Sequence, residues 1–224
     1  MTDAVYVKNY KAPPVCRREI LRYAGGGKTE EGEVSRLLDS CLEELAGKLS
    51  YRVCWRVFPV GRRDGVLDLS FAETASRGLF KNLAGCGSAV LFAATVGLEV
   101  DRLIARYGRI SPARALLFEA IGTERIESLC DVFSEDMRRQ AQTAGGDTRP
   151  RFSPGYGDLP LALQRDIFHA LDCARKIGLT LNDSLMMSPA KSVTAIIGIT
   201  DRAGENKRKE CTDCDKQDCV FRKN

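Results

Sequence analysis

Histidine is nearly missing from this chain: His169 is the only one in 224 residues. Chemistry that relies on an imidazole as general base, nucleophile partner or metal ligand would have to rest on that single side chain. His169 falls inside an apolar-periodic segment, where it reads as an ordinary helical histidine. No paired-carboxylate signature for acid–base hydrolysis emerges either. Two phosphate-binding signatures are incomplete. Gly25-Gly26-Gly27-Lys28 lacks the spacing of a Walker loop, and Gly85-Cys86-Gly87 lacks the third glycine of a dinucleotide fingerprint, so both read as turns. No apolar run reaches the roughly 18 residues of a membrane span. Met1-Thr2-Asp3-Ala4 has neither the basic nor the apolar part of a signal peptide. A cytoplasmic protein with no membrane partner is expected. The net charge of +4 is mild and spread except near the C-terminus, too weak to argue for nucleic acid.

What is present is enough apolar sequence, 44% of the residues, for one sizeable core. The first roughly 15 residues, with Pro13-Pro14, read as an extended arm, and Arg17 to Tyr23 as a short helix stopped by glycines. From Glu33, the spacing of Val34, Leu37, Leu38, Cys41, Leu42 and Leu45 predicts an amphipathic helix. Tyr51 to Pro59 alternates as a half-buried strand, and Arg63-Asp64-Gly65 turns into a short strand over Val66 to Ser70, a hairpin with it. Ser76 to Leu83 and Leu98 to Tyr107 read as helices, and Ala89 to Thr95, nearly all apolar, as a central strand. Ser111 as N-cap and Pro112 at the first helical position open the longest helix, which runs past Met137 towards Gly145-Gly146. Leu161 to Lys176 reads as one helix; Leu185 to Met187 and Val193 to Ile199 read as strands. Irregular alternation with hairpins at both ends predicts α+β: a mixed or mostly antiparallel, bent sheet flanked by helices, in a single domain. The expected organisation is an arm and short helix over 1–30, the α+β domain over 31–202, and a polar, cysteine-containing tail over 203–224.

Of the nine cysteines, six lie singly along the chain, and Cys41, Cys54, Cys130 and Cys173 sit in apolar patterns as small buried hydrophobes of a reducing compartment. Cys211, Cys214 and Cys219 differ. Three thiols within nine residues, flanked by Lys207, Arg208, Lys209, Lys216, Arg222 and Lys223, suit an iron–sulfur cluster or zinc, with redox or disulfide chemistry as the alternative. Three ligands leave a tetrahedral site one short, and Cys16 or Cys86, a partner or a small molecule would supply the fourth.

The densest local signal is Arg151-Phe152-Ser153-Pro154-Gly155-Tyr156-Gly157-Asp158-Leu159-Pro160. Two prolines fix φ and two glycines permit conformations closed to other residues, so this loop limits its own freedom while displaying a cation, backbone amides and a tyrosine. On the long helix before it, Glu127 and Asp131 are four apart and share a face, with Glu127 at the border of the apolar stripe.

The loop, taken with Ser184-Leu185-Met186-Met187-Ser188-Pro189-Ala190-Lys191-Ser192-Val193, resembles the activation domain of cobalamin-dependent methionine synthase, in its stand-alone form. The resemblance covers roughly 75 to 200. It implies a module that binds S-adenosylmethionine and supports reductive methylation of cob(II)alamin on a separately encoded methionine synthase or related corrinoid protein. An electron donor such as flavodoxin would serve it. By position, Arg151 would hold the amino-acid carboxylate, Ser153 and Gly155 would offer backbone, Tyr156 would face the corrin, and Glu127 would orient the amino group. A paired Tyr-Tyr found near the C-terminus of some members has no equivalent. The other class of function consistent with the sequence is a metal- or iron–sulfur-binding redox accessory protein that delivers electrons through the tail.

Overall fold

The structure, a computed structural model, describes residues 4–25 and 32–201. Its centre is a five-stranded sheet in the order β1 (Tyr6–Tyr10), β2 (Tyr51–Pro59), β6 (Cys86–Thr95), β10 (Ser192–Thr200), β7 (Asp147–Thr148), antiparallel at every pairing. Between β2 and β6 lie β3 (Gly61–Arg63), β4 (Val66–Asp68) and β5 (Glu73–Thr74), which form a separate three-stranded sheet. Strands β8 (Thr180–Leu181) and β9 (Met187–Ser188) make a two-stranded ribbon. The helices are α1 (Arg17–Tyr23), α2 (Glu33–Leu45), α3 (Arg77–Asn82), α4 (Glu99–Tyr107), α5 (Pro112–Thr143), α6 (Gln164–Leu171) and α7 (Cys173–Ile177).

Helices cover both faces of the main sheet, which is why β6 at its centre reads as an unbroken apolar run instead of an alternating one. In β6, Val90, Phe92 and Ala94 point to one side, where they meet Leu38, Ile121, Leu129 and Phe133 from α2 and α5. Ala89, Leu91 and Ala93 point to the other, against Leu79 of α3 and Ile167, Leu171 and Cys173 of α6 and α7. The expected class, α+β with an antiparallel sheet between helices, is what the chain adopts.

Several elements differ from expectation for physical reasons. The N-terminal arm is not merely extended: Tyr6 to Tyr10 pairs with Trp55 to Tyr51 as an edge strand. It is tied to α5 where Asp136 accepts from Lys8 Nζ at 2.6 Å and from the Tyr10 hydroxyl at 2.9 Å. The Asp64-Gly65 turn does make a hairpin, but its partners are β3 and β4, leaving β2 to β1 and β6. The helix expected over 161–176 begins as a 3-10 turn (Leu161–Leu163) and breaks at Asp172, φ +49°, into α6 and α7. Leu171 and Cys173 are both fully buried against the same sheet face. Two residues apart in a continuous helix they would point in nearly opposite directions, so the chain has to turn between them. Leu185, expected to start a strand, has φ +62° and sits in the turn closed by Leu185 N–H to Asn182 O, so pairing begins only at Met187. Ser111 and Pro112 do open α5, although the Ser111 side chain makes no capping bond.

Candidate functional site

Beyond α5, the chain returns along the free edge of β10. Asp147 and Thr148 pair as β7, Arg149 N–H donates to Gly198 O at 2.8 Å, and Phe152 exchanges two 2.9 Å bonds with Ile196. Because side chains alternate along an extended segment, Arg151 and Phe152 leave on opposite faces. Phe152 joins the core under α3 and α6, whereas Arg151 reaches α5. There its guanidinium meets two carboxylates, Glu127 Oε2 at 2.5 Å and Asp131 Oδ1 at 2.7 Å. Helical spacing puts both acids on one face, so a single planar fork bridges them. Burial works against the charge on Arg151, but Cys130, Glu127 and Asp131 outweigh it and hold its pKa above the ordinary value. Beneath it Cys130 is fully buried, and burial pushes its thiol up to about 12.

The same acids form one wall of a cleft of about 380 Å³ between α5 and α1. From α5 come Glu127, Ser128 and Asp131, and from the opposite side Cys16, Arg18, Glu19 and Tyr23. Glu124 also lines the cleft, and with Arg125, the next residue on α5, it forms a buried bidentate pair. Glu124 Oε1 accepts Cys16 N–H at 3.0 Å, and Arg125 donates to Pro13 O at 2.6 Å and Pro14 O at 2.8 Å. That buried pair fastens the arm, and with it α1, beside α5.

The glycine-punctuated loop closes on itself. Gly155 N–H donates to Leu159 O, Leu159 N–H to Tyr156 O, and Tyr156 N–H to Ser153 O. Gly155 has φ +83° and Gly157 φ +58°, conformations that a side chain would strain. With its N–H engaged, Gly155 presents an exposed, side-chain-free backbone surface. Asp158 fastens the loop to the start of α3: it accepts from Ser76 Oγ at 2.6 Å, Arg77 N–H at 2.7 Å and Gly78 N–H at 3.0 Å. The Ser76 hydroxyl and these amides hold the Asp158 carboxyl below its usual range. Tyr156 stands 70% exposed, touching Phe152 edge-on at 5.6 Å between ring centres.

Of the residues singled out in the sequence, the structure therefore brings Arg151 and Glu127 into contact. It sets Ser153, half-buried, and exposed Gly155 and Tyr156 in one turn just after Arg151 in the chain, but on the α3 side of the sheet edge. Asp131 is the partner that the sequence reading did not assign, although its i+4 spacing from Glu127 was visible. The α1 residues were illegible, because nothing in sequence ties position 16 to position 124. The Leu185-to-Val193 segment has a structural role: Ser192 is buried and its hydroxyl lies 2.8 Å from both Thr95 Oγ1 and Pro189 O. Cys41, Cys54, Cys130 and Cys173 are buried, as expected. Cys86 is buried as well, and burial raises its thiol; Cys16 is exposed on the rim of the cleft. Cys211, Cys214 and Cys219 lie outside the described residues. Among the described residues no cluster of three or more His, Cys, Asp or Glu side chains could hold a metal, and no helix is long and apolar enough to cross a membrane.

The fold and this edge site define an α+β domain that holds a cation between two acids beside a self-braced, exposed loop. The profile of the family described as vitamin B12 dependent methionine synthase, activation domain, matches residues 87–224, well over half of the chain, and the chain belongs to that family. Among solved structures, thirteen chains match. One of them, the MetH reactivation domain bound to AdoHcy, superposes with a TM-score of 0.62 at 18% identity over 87% of this chain and 78% of that one. At that identity the likeness is one of fold. No curated protein matches the chain.

Proposed function

We propose that this chain is an S-adenosylmethionine-binding reactivation module that serves a separately encoded cobalamin-dependent methyltransferase: methionine synthase or a related corrinoid protein. The observation that carries the reading is Arg151 paired with Glu127 and Asp131, two acids that line the cleft. A zwitterionic amino acid matches that charge pattern. Its carboxylate takes the guanidinium by charge-assisted hydrogen bonds, and its ammonium takes the acid released by that exchange, Glu127. The cleft volume lies within the roughly 300–1,000 Å³ of ordinary ligand pockets. Membership of the activation-domain family, and a fold shared with a reactivation domain solved with AdoHcy, support the same choice of ligand.

When bound, S-adenosylmethionine supplies an electrophilic methyl group. The residues of this chain contribute position only. Arg151 and Glu127 anchor the amino-acid end, Ser153 and Gly155 offer backbone, that of Gly155 free of any side chain, and exposed Tyr156 presents a flat face to the partner's corrin. None of these roles requires a proton transfer, in keeping with a site that lacks histidine. The electron for cob(II)alamin would come from a donor such as flavodoxin.

Calorimetric titration with S-adenosylmethionine, with and without the corrinoid partner, tests the reading. Arg151→Ala should weaken binding about 10- to 100-fold, the equivalent of ~1.5–3 kcal/mol for a hydrogen bond to a charged group. Unchanged affinity in that variant would sink the assignment.

A second reading, a metal- or iron–sulfur-binding redox accessory that delivers electrons to the corrinoid protein, is favoured by one observation. Cys16 is exposed, which makes it the described thiol available to complete a set with Cys211, Cys214 and Cys219. Anaerobic metal analysis and a visible spectrum of the full chain decide it, and a colourless, metal-free protein counts against it.

A further inference from the structure

Helix α1 and the arm before it lie outside the segment that identifies the family, residues 87–224, yet they build half of the cleft on which Glu127 and Asp131 open. We infer that α1 is the second wall of the ligand site and that Tyr23, on its last turn, contacts the nucleoside half of the bound ligand. This inference rests on the reading of the cleft as the S-adenosylmethionine site.

The argument starts from what the two ends of the ligand need. Arg151 pairs with Glu127 and Asp131, which line the cleft, and suits the amino-acid end, so the space beyond them, bounded by Ser128 and by Arg18, Glu19 and Tyr23 of α1, is where the rest of the molecule fits. That space is not a loose gap between mobile pieces. Glu124 and Arg125 are only 2% and 3% exposed, and together they bond Cys16 N–H and the carbonyls of Pro13 and Pro14, which sets the starting point of α1. Ile20 and Leu21 then bury the inner face of the helix in the core. A seven-residue helix is too short to hold itself, so these contacts decide where it stands.

Four of the groups on the cleft wall are already committed. Glu19 pairs with Arg22 at 2.6 Å, Glu124 with Arg125, and Glu127 and Asp131 share Arg151. Tyr23 offers a ring that is partly packed on the core, with the Arg22 guanidinium 4.4 Å from its centre and hydrogen-bonded to its hydroxyl. Burial first, then the Glu127 carboxylate, raise the Tyr23 phenol above its ordinary pKa, which places its hydroxyl end within the field of the acid that would hold the ammonium. It is therefore a neutral hydroxyl donor on an aromatic surface, next to the point where amino acid and nucleoside join. A ribose diol and a purine match both properties.

The test uses the full chain labelled with 3-fluorotyrosine, its Tyr23 resonance assigned through Tyr23→Phe. On titration with S-adenosylmethionine the Tyr23 signal should move by a ring-current shift that saturates with the calorimetric binding curve. Tyr23→Leu, which keeps an apolar side chain, should weaken binding at least 10-fold. If the ligand binds but the Tyr23 resonance stays still and Tyr23→Leu binds like the unaltered chain, α1 is not part of the site, and the assignment through Arg151 stands. If the unaltered chain binds no ligand even with the corrinoid partner, the underlying reading fails and this inference with it.

Discussion

Asp158 illustrates how one side chain can set the shape of a loop from outside it. Its carboxylate collects the Ser76 hydroxyl and the first two amides of α3, so the exposed turn that carries Tyr156 is fixed at a point three residues past Gly155. Because those donors lower the folded pKa, the stabilisation is complete above the unfolded value near 3.8 and is lost as pH falls through the lower, folded one. The clip therefore holds at neutral pH and releases only in acid below about pH 4. Protection of the Arg77 and Gly78 amides from hydrogen exchange, relative to the intrinsic rate at each pH, should fall in that window, and Asp158→Asn should remove the pH dependence while leaving a weaker, neutral acceptor in place. The Arg151 cluster behaves differently. Its exposed acids keep it adjustable, whereas the buried Glu124–Arg125 pair one turn away is fixed to the arm by three backbone partners, Cys16 N–H and the carbonyls of Pro13 and Pro14.

At the scale of elements, the site depends on how closely the chain can return to β10 after a 32-residue helix. Gly146 makes this possible. A Cβ there would lie 2.1 Å from the carbonyl oxygen of Thr200, and that oxygen belongs to backbone, which cannot swing aside. Gly146→Ala should displace β7 and the extension that carries Arg151, at a cost of about 1–3 kcal/mol in denaturant unfolding. It should also weaken S-adenosylmethionine binding, although position 146 touches no ligand. Wild-type stability together with wild-type hydrogen exchange at the Arg149 amide would contradict this account. Here a strand of two residues matters more than its length suggests, since it sets the register for everything up to Phe152.

Among the described residues the five-stranded main sheet carries a helical layer on each face, and the two cores share its strands. Phe92 and Leu91 are neighbours in β6, fully buried on opposite sides. Neither layer can come away without exposing a face of the strands that support the other. Phe92→Ala on the α5 side should cost about 3–5 kcal/mol, and Ile167→Ala on the α6 side about 2–5 kcal/mol. Both should lower a single unfolding midpoint seen alike by far-ultraviolet circular dichroism and Trp55 fluorescence. Two separated transitions would mean that the layers fold independently.

Much of this was legible in the sequence because it is local. Periodicity located α2, β2 and α5 to within a few residues, since each buries a face that repeats at its own spacing, while a glycine stop marked α1 and an apolar run marked β6. The glycines and prolines of the 151–160 loop announced a braced turn for the same reason. Where local pattern and tertiary packing conflict, packing decided: the 161–176 helix breaks at Asp172 because Leu171 and Cys173 both have to reach one sheet face, and the Tyr6–Tyr10 arm becomes a strand because β2 offers it an edge. The sequence determined that Arg151, Glu127 and Tyr156 would be displayed. Only the tertiary structure decided that Arg151 lies across Glu127 and Asp131, 24 and 20 residues away, and that Tyr156 stands on the other side of the sheet edge. It also brought α1 to form the facing wall, through bonds that join residues more than 100 positions apart. Contacts at that separation follow from how the sheet and helices stack, and no spacing along the chain encodes them.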